Sequence, residues 1–254
     1  MPRTVVITGA SSGIGAALAR RLARNGFRVV LAARRERELR LVASACGEHA
    51  FPVVVDVTKR ALVNSLRDAA IRRFGAVDVW VNNAGQGISR RVLELTDDEF
   101  DAMMSTNVKS ALYGMQTIVP HFQERGRGHL INVSSFLGRV PFVTFRSAYN
   151  AAKAALNTLT ANLRMDIQPT HPDIHVSLVM PGVVTTDFAK NALGDSTPSV
   201  VSPGTSAQTA EEVADSIAEL IANPVPEIFT NPAQREIARA YYEDVGAFEE
   251  RLRS

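Results

Sequence analysis

The feature that most constrains this chain is the run Thr8-Gly9-Ala10-Ser11-Ser12-Gly13-Ile14-Gly15. It joins an apolar segment, residues 4–8, that reads as a strand to residues 12–25, which read as a helix closed by Gly26. Three glycines spaced G-x-x-x-G-x-G let the backbone turn tightly and approach a pyrophosphate, whose charge a helix N-terminus favours. Gly9, Ser11, Ser12, Gly13, Ile14 and Gly15 are therefore candidate cofactor-binding residues. A glycine-rich turn alone also serves ordinary loops. Its place at the first strand-to-helix junction is what points to a phosphate.

The alternation continues along the chain. Apolar runs at 28–33, 53–57, 77–82, 130–133 and 175–180 read as strands, with 227–229 as a short seventh. Helical spacing marks 35–46, 108–124 and 148–167, and a further helix runs to Phe74 with Thr58 as its cap. Thr96-Asp97-Asp98-Glu99 and Thr209-Ala210-Glu211-Glu212 read as capping boxes opening two more. Strands separated by such helices pair in parallel through right-handed crossovers. The expectation is an α/β fold: one doubly wound parallel sheet of about seven strands, with helices on both faces, in a single domain over 1–254. Residues 231–254 read as a helical tail. The one compositional break, 191–209, is rich in Ser, Thr, Pro and Gly. It reads either as a solvated connection or as a functional lid over 183–208.

Composition removes other classes. Hydrophobic residues make up 46% and charged residues 21%, which excludes a disordered or fibrous chain. The 28 basic and 26 acidic residues are dispersed, so no nucleic-acid footprint is expected. A single cysteine, Cys46, leaves no internal disulfide and fits a reducing cytoplasm, the expected location. No apolar run reaches the ~18 residues of a membrane span. Met1 leads through Arg3 into Val5-Val6-Ile7 without the long apolar region of a signal peptide. His171 and His175 are separated by Pro172 and do not read as ligands, so no metal is expected. Trp80 reads as core.

Thr8–Gly15, Asn82-Asn83-Ala84-Gly85, Asn107, Ser135, Tyr149-x-x-x-Lys153 and Pro181-Gly182 occur in that order within residues 4–187. Together they resemble the short-chain dehydrogenase/reductase family, which implies a Rossmann-type fold and a nicotinamide cofactor. The second strand ends Leu31-Ala32-Ala33-Arg34-Arg35. Ala33 stands where NAD-preferring relatives carry Asp, and Arg34 where NADP-preferring relatives carry a phosphate-binding arginine. Arginine makes bidentate, charge-assisted bonds to a 2′-phosphate, so NADP(H) is expected in preference to NAD. Arg35 reads as the solvated start of a charged helix. The resemblance places Asp56 and Val57 at the adenine, Asn83, Ala84 and Gly85 beside the cofactor, and Pro181, Gly182, Val184 and Thr186 at the nicotinamide.

Tyr149 and Lys153 share one helix face. A lysine ammonium near the phenol is expected to draw its pKa down from ~10 toward neutrality, fitting Tyr149 to donate a proton to a carbonyl oxygen and to accept one in reverse. Ser135 is expected to hydrogen-bond the substrate oxygen, with Ser134 as the alternative. Ser135 stands fourteen positions before Tyr149, where the family has thirteen. The resemblance makes Asn107 a helix-interrupting residue that holds a water beside Lys153, and an N-cap for 108–124 is the local alternative.

These residues imply an oxidoreductase moving a hydride between nicotinamide and a carbonyl or secondary alcohol. The competing class is a redox-inactive NADP-binding sensor. The segment Phe136–Phe145, with three phenylalanines, and the 183–208 loop are expected to wall an apolar substrate pocket, against the alternative that the rings pack on the 148–167 helix. Leu112, Met115, Ile118, Leu156, Leu159 and Leu163 give the 108–124 and 148–167 helices apolar surface suited to a homodimer or homotetramer. The family's frequent Asp-Gly-Gly C-terminal ending is absent.

Overall fold

The computed structural model describes residues 2–188, 190–194, 200–201 and 204–252. Seven strands form one parallel sheet: β1 Thr4–Thr8, β2 Arg28–Ala33, β3 Ala50–Val54, β4 Val79–Asn82, β5 Gly128–Val133, β6 Ile174–Met180 and β7 Glu227–Phe229, in the spatial order 3-2-1-4-5-6-7. The order reverses between β1 and β4, which opens a crevice at the carboxyl ends of the strands. This is an α/β Rossmann-type fold.

The central strands are predominantly apolar because helices cover both faces. Successive side chains alternate between two cores. Val5 and Ile7 pack with Leu18 and Leu22 of α1 (Gly13–Arg24), Leu39 of α2 (Glu36–Cys46) and Ile217 of α7 (Ala210–Ala222). Val6, Val30 and Trp80 face the other way, onto Leu66 of α3 (Arg60–Phe74), Ile118 and Phe122 of α5 (Ser110–Arg125) and Leu156 of α6 (Ser147–Ile167). Trp80 is fully buried, as expected of a core residue. Met115, Ile118 and Leu156 are consumed by the chain's own core, while Leu112, Leu159 and Leu163 stay half-buried.

Both capping boxes form. Thr96 and Glu99 exchange bonds of 3.2 Å at the start of α4 (Asp97–Met104), and Thr209 and Glu212 exchange bonds of 2.7 and 3.1 Å at α7. Two local readings are corrected. The third strand is Ala50–Val54, three residues earlier than expected, and it includes Pro52. It is the sheet's edge strand, where a residue lacking an N–H is tolerated. Thr58 does not cap α3, whose N-cap is Lys59. Its backbone N–H and hydroxyl donate instead to Asp56 Oδ1, at 3.0 and 2.8 Å.

The C-terminal segment forms two helices, α8 (Ala233–Glu243) and α9 (Val245–Arg251). They alter the expected pocket wall. Phe136 is 1% exposed and packs with Val140, Ala238 and Phe248, with Phe142 alongside. These two rings pack on the C-terminal helices and do not line the cleft. An Arg139–Glu227 ion pair and a Tyr242 hydroxyl bond to the Arg139 carbonyl, 3.1 Å, fasten the same region. No helix among the described residues is long and apolar enough to cross a membrane.

His129, on β5, is 1% exposed, and its Nε2 lies 2.9 Å from the Ser177 hydroxyl. Burial, aided by the charge of His175, pushes its pKa down from 6.5 to about 3. Between those values the unfolded chain binds a proton that the folded chain refuses. Stability is therefore greatest above 6.5 and falls as pH drops toward about 3, by up to ~1.4 kcal/mol per pH unit. Thermal melts at about pH 7 and about pH 5 should show a larger loss of Tm for wild type than for His129→Gln. Equal losses would remove His129 from the acid response.

Candidate active site

The crevice holds a cavity of about 500 Å3 running from the glycine loop to the 183–208 segment. Gly9 has φ +68°, a conformation that favours glycine, and a Cβ there would stand 2.8 Å from the Ala84 Cα. A Cβ on Gly15 would stand 2.6 Å from both the Asn83 amide nitrogen and the Gly9 carbonyl. Side chains at these positions would push the loop away from β4. The loop is held down by Thr8, whose hydroxyl accepts from the backbone N–H groups of Asn83 (3.0 Å) and Ala84 (3.1 Å). The Asn83 side chain returns a bond to the Thr8 carbonyl at 2.9 Å.

Ser12 precedes α1 but caps it with no side-chain bond. Its hydroxyl accepts from Arg35 Nη2 at 2.5 Å, and Ser11 accepts from the same nitrogen at 3.1 Å. The N-terminal N–H groups of α1 are thus left to an anion, with a guanidinium beside them. Arg35, read from sequence as a solvated helix charge, belongs to this loop. The signal was its place next to Arg34 at the end of β2, and only the fold brings it back over Ser11. Arg34 is exposed and lines the cavity too, together with Asp56 and Val57. Burial alone would raise the Asp56 carboxyl. The Thr58 bonds and the charges of Arg34 and Lys59 outweigh it and hold the group below its usual range.

At the other end, Ser135, Tyr149 and Lys153 converge, being 7%, 8% and 4% exposed. The Ser135 hydroxyl accepts from the Leu137 N–H at 3.2 Å, and its nearness to the Tyr149 phenol favours the ionised phenol. The turn Phe136–Gly138 and the loop after it connect Ser135 to α6. Ser134 points elsewhere: its hydroxyl donates to Asn157 Oδ1 at 2.6 Å, so the geometry selects Ser135 for the cleft. Lys153 Nζ donates to the Val133 carbonyl at 3.0 Å and lies 5.6 Å from the centre of the Tyr149 ring.

Asn107 sits in a π-helical turn, Ser105–Lys109, between α4 and α5, and does not cap a helix. Its Nδ2 donates to the carbonyls of Gln86 (2.9 Å) and Met103 (3.1 Å), while Oδ1 accepts from the Gln86 N–H (3.2 Å). A Cβ on Gly85 would be 3.0 Å from Asn107 Oδ1 and 3.6 Å from Lys153 Nζ, so both groups face one glycine.

Pro181, Gly182, Val184 and Thr186 line the cavity, and a Cβ on Gly13 would touch the Thr186 methyl at 3.4 Å. The base of the following loop is pinned by bonds between Gln208 and the backbone of Val183 (2.9 Å) and Thr185 (2.8 Å). The loop then crosses the cleft. Phe188 places its ring 5.6 Å from that of Tyr149, and Leu193–Gly194 pairs with Ile88–Ser89. Residues 189, 195–199 and 202–203 of the expected lid lie outside the described residues. Among the described residues no cluster of potential metal ligands occurs.

The electrostatics correct one expectation. Burial pushes the Tyr149 phenol up to about 12, with Ser135 and Arg146 only partly opposing it. Burial also pulls Lys153 down to about 8. Desolvation therefore outweighs the Ser135 hydroxyl and the Arg146 charge, and it favours the protonated phenol.

A family model for short chain dehydrogenase matches residues 3–196. The chain is 34% identical over 188 residues to an uncharacterized oxidoreductase of Staphylococcus epidermidis, covering 74% of this chain and 80% of that one. Its structure is similar to a short-chain dehydrogenase/reductase of Burkholderia phymatum in complex with NAD, with TM-score 0.87 and 28% identity over 97% of this chain and 95% of that one. It is also similar to an alcohol dehydrogenase of Thermococcus sibiricus complexed with 5-hydroxy-NADP, with TM-score 0.78 and 28% identity over 91% and 97% of the two chains. The chain belongs to the short-chain dehydrogenase/reductase family and is an NAD(P)-dependent oxidoreductase.

The Lys153 value sets a pH expectation. Lys153 loses its charge as pH rises through about 8; on the expectation that this charge steadies a Tyr149 phenolate, the rate of carbonyl reduction should fall. Initial rates at saturating cofactor check this, and a rate constant up to about pH 10 would contradict it.

Proposed function

We propose that this protein is an NADP(H)-dependent reductase of a carbonyl compound with an apolar body, or the reverse secondary-alcohol dehydrogenase. The observation that carries the chemistry is a buried Tyr149 converging with Ser135 and Lys153 at an apolar wall of Leu137, Val143 and Phe188. The glycine loop, Asp56 and the two arginines fit the phosphates and ribose of a dinucleotide, and Gly182, Val184 and Thr186 fit its nicotinamide end. Bound there, the cofactor supplies the hydride that adds to the carbonyl carbon.

The protein's own groups handle the oxygen. Ser135 donates a hydrogen bond to it and fixes the carbonyl plane. Tyr149 delivers its phenolic proton to the oxygen as negative charge develops there, leaving a phenolate. Lys153 stabilises that phenolate by its charge. Asn107 holds the Gly85–Gln86 backbone against Lys153, where the proton returns from solvent.

The preference for NADP(H) follows from charge. Ala33 offers no carboxylate to repel a 2′-phosphate, and Arg34 and Arg35 stand on the same rim. A dianion gains two cations there, while the hydroxyl of NAD loses little by their removal.

Tyr149→Phe keeps the ring and removes the proton. Turnover of a carbonyl panel, followed by NADPH absorbance, should fall by ~10²–10⁴ while cofactor affinity changes little. Near-normal turnover would dismiss Tyr149 as the acid. In calorimetric titrations, NADPH should bind more tightly than NADH to wild type, and Arg34→Ala should remove most of the difference. Arg35→Ala should remove the remainder. Equal affinities in the wild type would refute the assignment of both arginines.

A further inference from the structure

Arg146 lies three positions before Tyr149, at the N-cap of α6, and only 7% of it is exposed. Its Nη1 donates to the Ile88 carbonyl at 3.0 Å, and its guanidinium carbon stands 5.5 Å from the centre of the neighbouring Phe145 ring. Among the described residues it forms no ion pair. A guanidinium carries five N–H donors, and one side-chain bond uses one of them. None of its nitrogens is sealed in the protein without a partner, and Arg146 lines the cavity beside Tyr149, Val143 and Phe188, which gives its unused donors room for a ligand.

A buried cation without a counter-charge is costly to the fold. A main-chain bond to Ile88 can be made by many neutral donors and does not require a charge. Burial lowers the guanidinium's pKa, and the nearby phenol draws it back up.

We propose that Arg146 is an anion anchor, and that the substrate is an oxo acid: a carbonyl compound carrying a carboxylate as well as an apolar chain. This rests on the reductase reading of the same site. A planar carboxylate matches the guanidinium fork in shape and in charge. A phosphate dianion would leave one charge unmatched. Lys153 is already bonded to the Val133 carbonyl, and Arg34 and Arg35 belong to the far end of the cleft. Residues three apart at a helix start have Cβ atoms about 5–6 Å apart. The carboxylate therefore lies within a few bonds of the carbonyl that Tyr149 protonates.

The test compares medium-chain oxo acids with their methyl esters, using NADPH and wild type, Arg146→Gln and Arg146→Lys. Wild type should favour the acid over the ester in kcat/KM by roughly tenfold or more. In Arg146→Gln that ratio should fall to about one, mainly through KM, and Arg146→Lys should keep part of it. Equal use of acid and ester by wild type overturns the proposal. So does an Arg146→Gln enzyme in which both substrates decline alike, a pattern that would make Arg146 an aid to Tyr149. If no carbonyl compound is turned over, the reductase reading fails, and the anchor is judged separately by calorimetric titration of hexanoate in the presence of NADP+. Binding that weakens about tenfold in Arg146→Gln supports the anchor, and absence of binding to wild type overturns it. Should Arg146→Gln not fold, Arg146→Lys takes its place in that titration. Several-fold weaker hexanoate binding then supports the bidentate fit, and unchanged binding overturns it.

Discussion

A chain of buried amides holds the site-bearing helix against the sheet. Asn82 on β4 accepts from the Trp80 indole at 2.7 Å and donates to the Ala111 carbonyl of α5 at 3.2 Å and to Asn132 on β5 at 2.9 Å. Asn132 in turn donates to the Thr160 hydroxyl of α6 at 2.9 Å, and Thr160 closes on the Leu156 carbonyl. An amide left unpaired at this depth would cost ~1–3 kcal/mol, so α6 seats in the register that satisfies all of them. That register carries Tyr149 and Lys153 to the strand ends where Ser135 and Gly85 wait. Gly114 belongs to the same arrangement, since no side chain fits between α5 and the Asn82–Trp80 pair.

The same burial that makes the scaffold rigid sets the chemistry of the cleft. Tyr149, Lys153 and Arg146 are all nearly enclosed, and for each ionisable group the leading influence is the loss of water. A phenol raised to about 12 is poorly placed as a resting base and well placed as a proton donor to an oxygen that is becoming negative. In the proposed reaction the positive charge of Lys153 matters after the transfer, when the phenolate needs it. The pyrophosphate end of the cleft works the other way. Arg34 and Arg35 are exposed there, and the fold draws Arg35 onto Ser11 and Ser12, so solvent and protein share the stabilisation of an incoming anion.

The elements legible in the sequence were those governed by local rules. The strand–glycine–helix start and the capping boxes at Thr96 and Thr209 follow from side-chain period and from hydrogen bonds between near neighbours. Their positions along the chain already implied a parallel sheet with a crevice at its strand ends. Tertiary structure decided whatever depends on distant partners. Pro52 lies inside a strand because that strand is an edge, and Thr58 turns to Asp56 instead of capping a helix. Phe136 and Phe142 stay out of the cleft and pack on two C-terminal helices more than ninety residues away. Arg35 and Arg146 took on their meaning from surroundings that spacing along the chain does not record. Periodicity reports which face a residue occupies, but the number of waters it loses, and therefore its charge and its partners, is set only when the chain has closed around it.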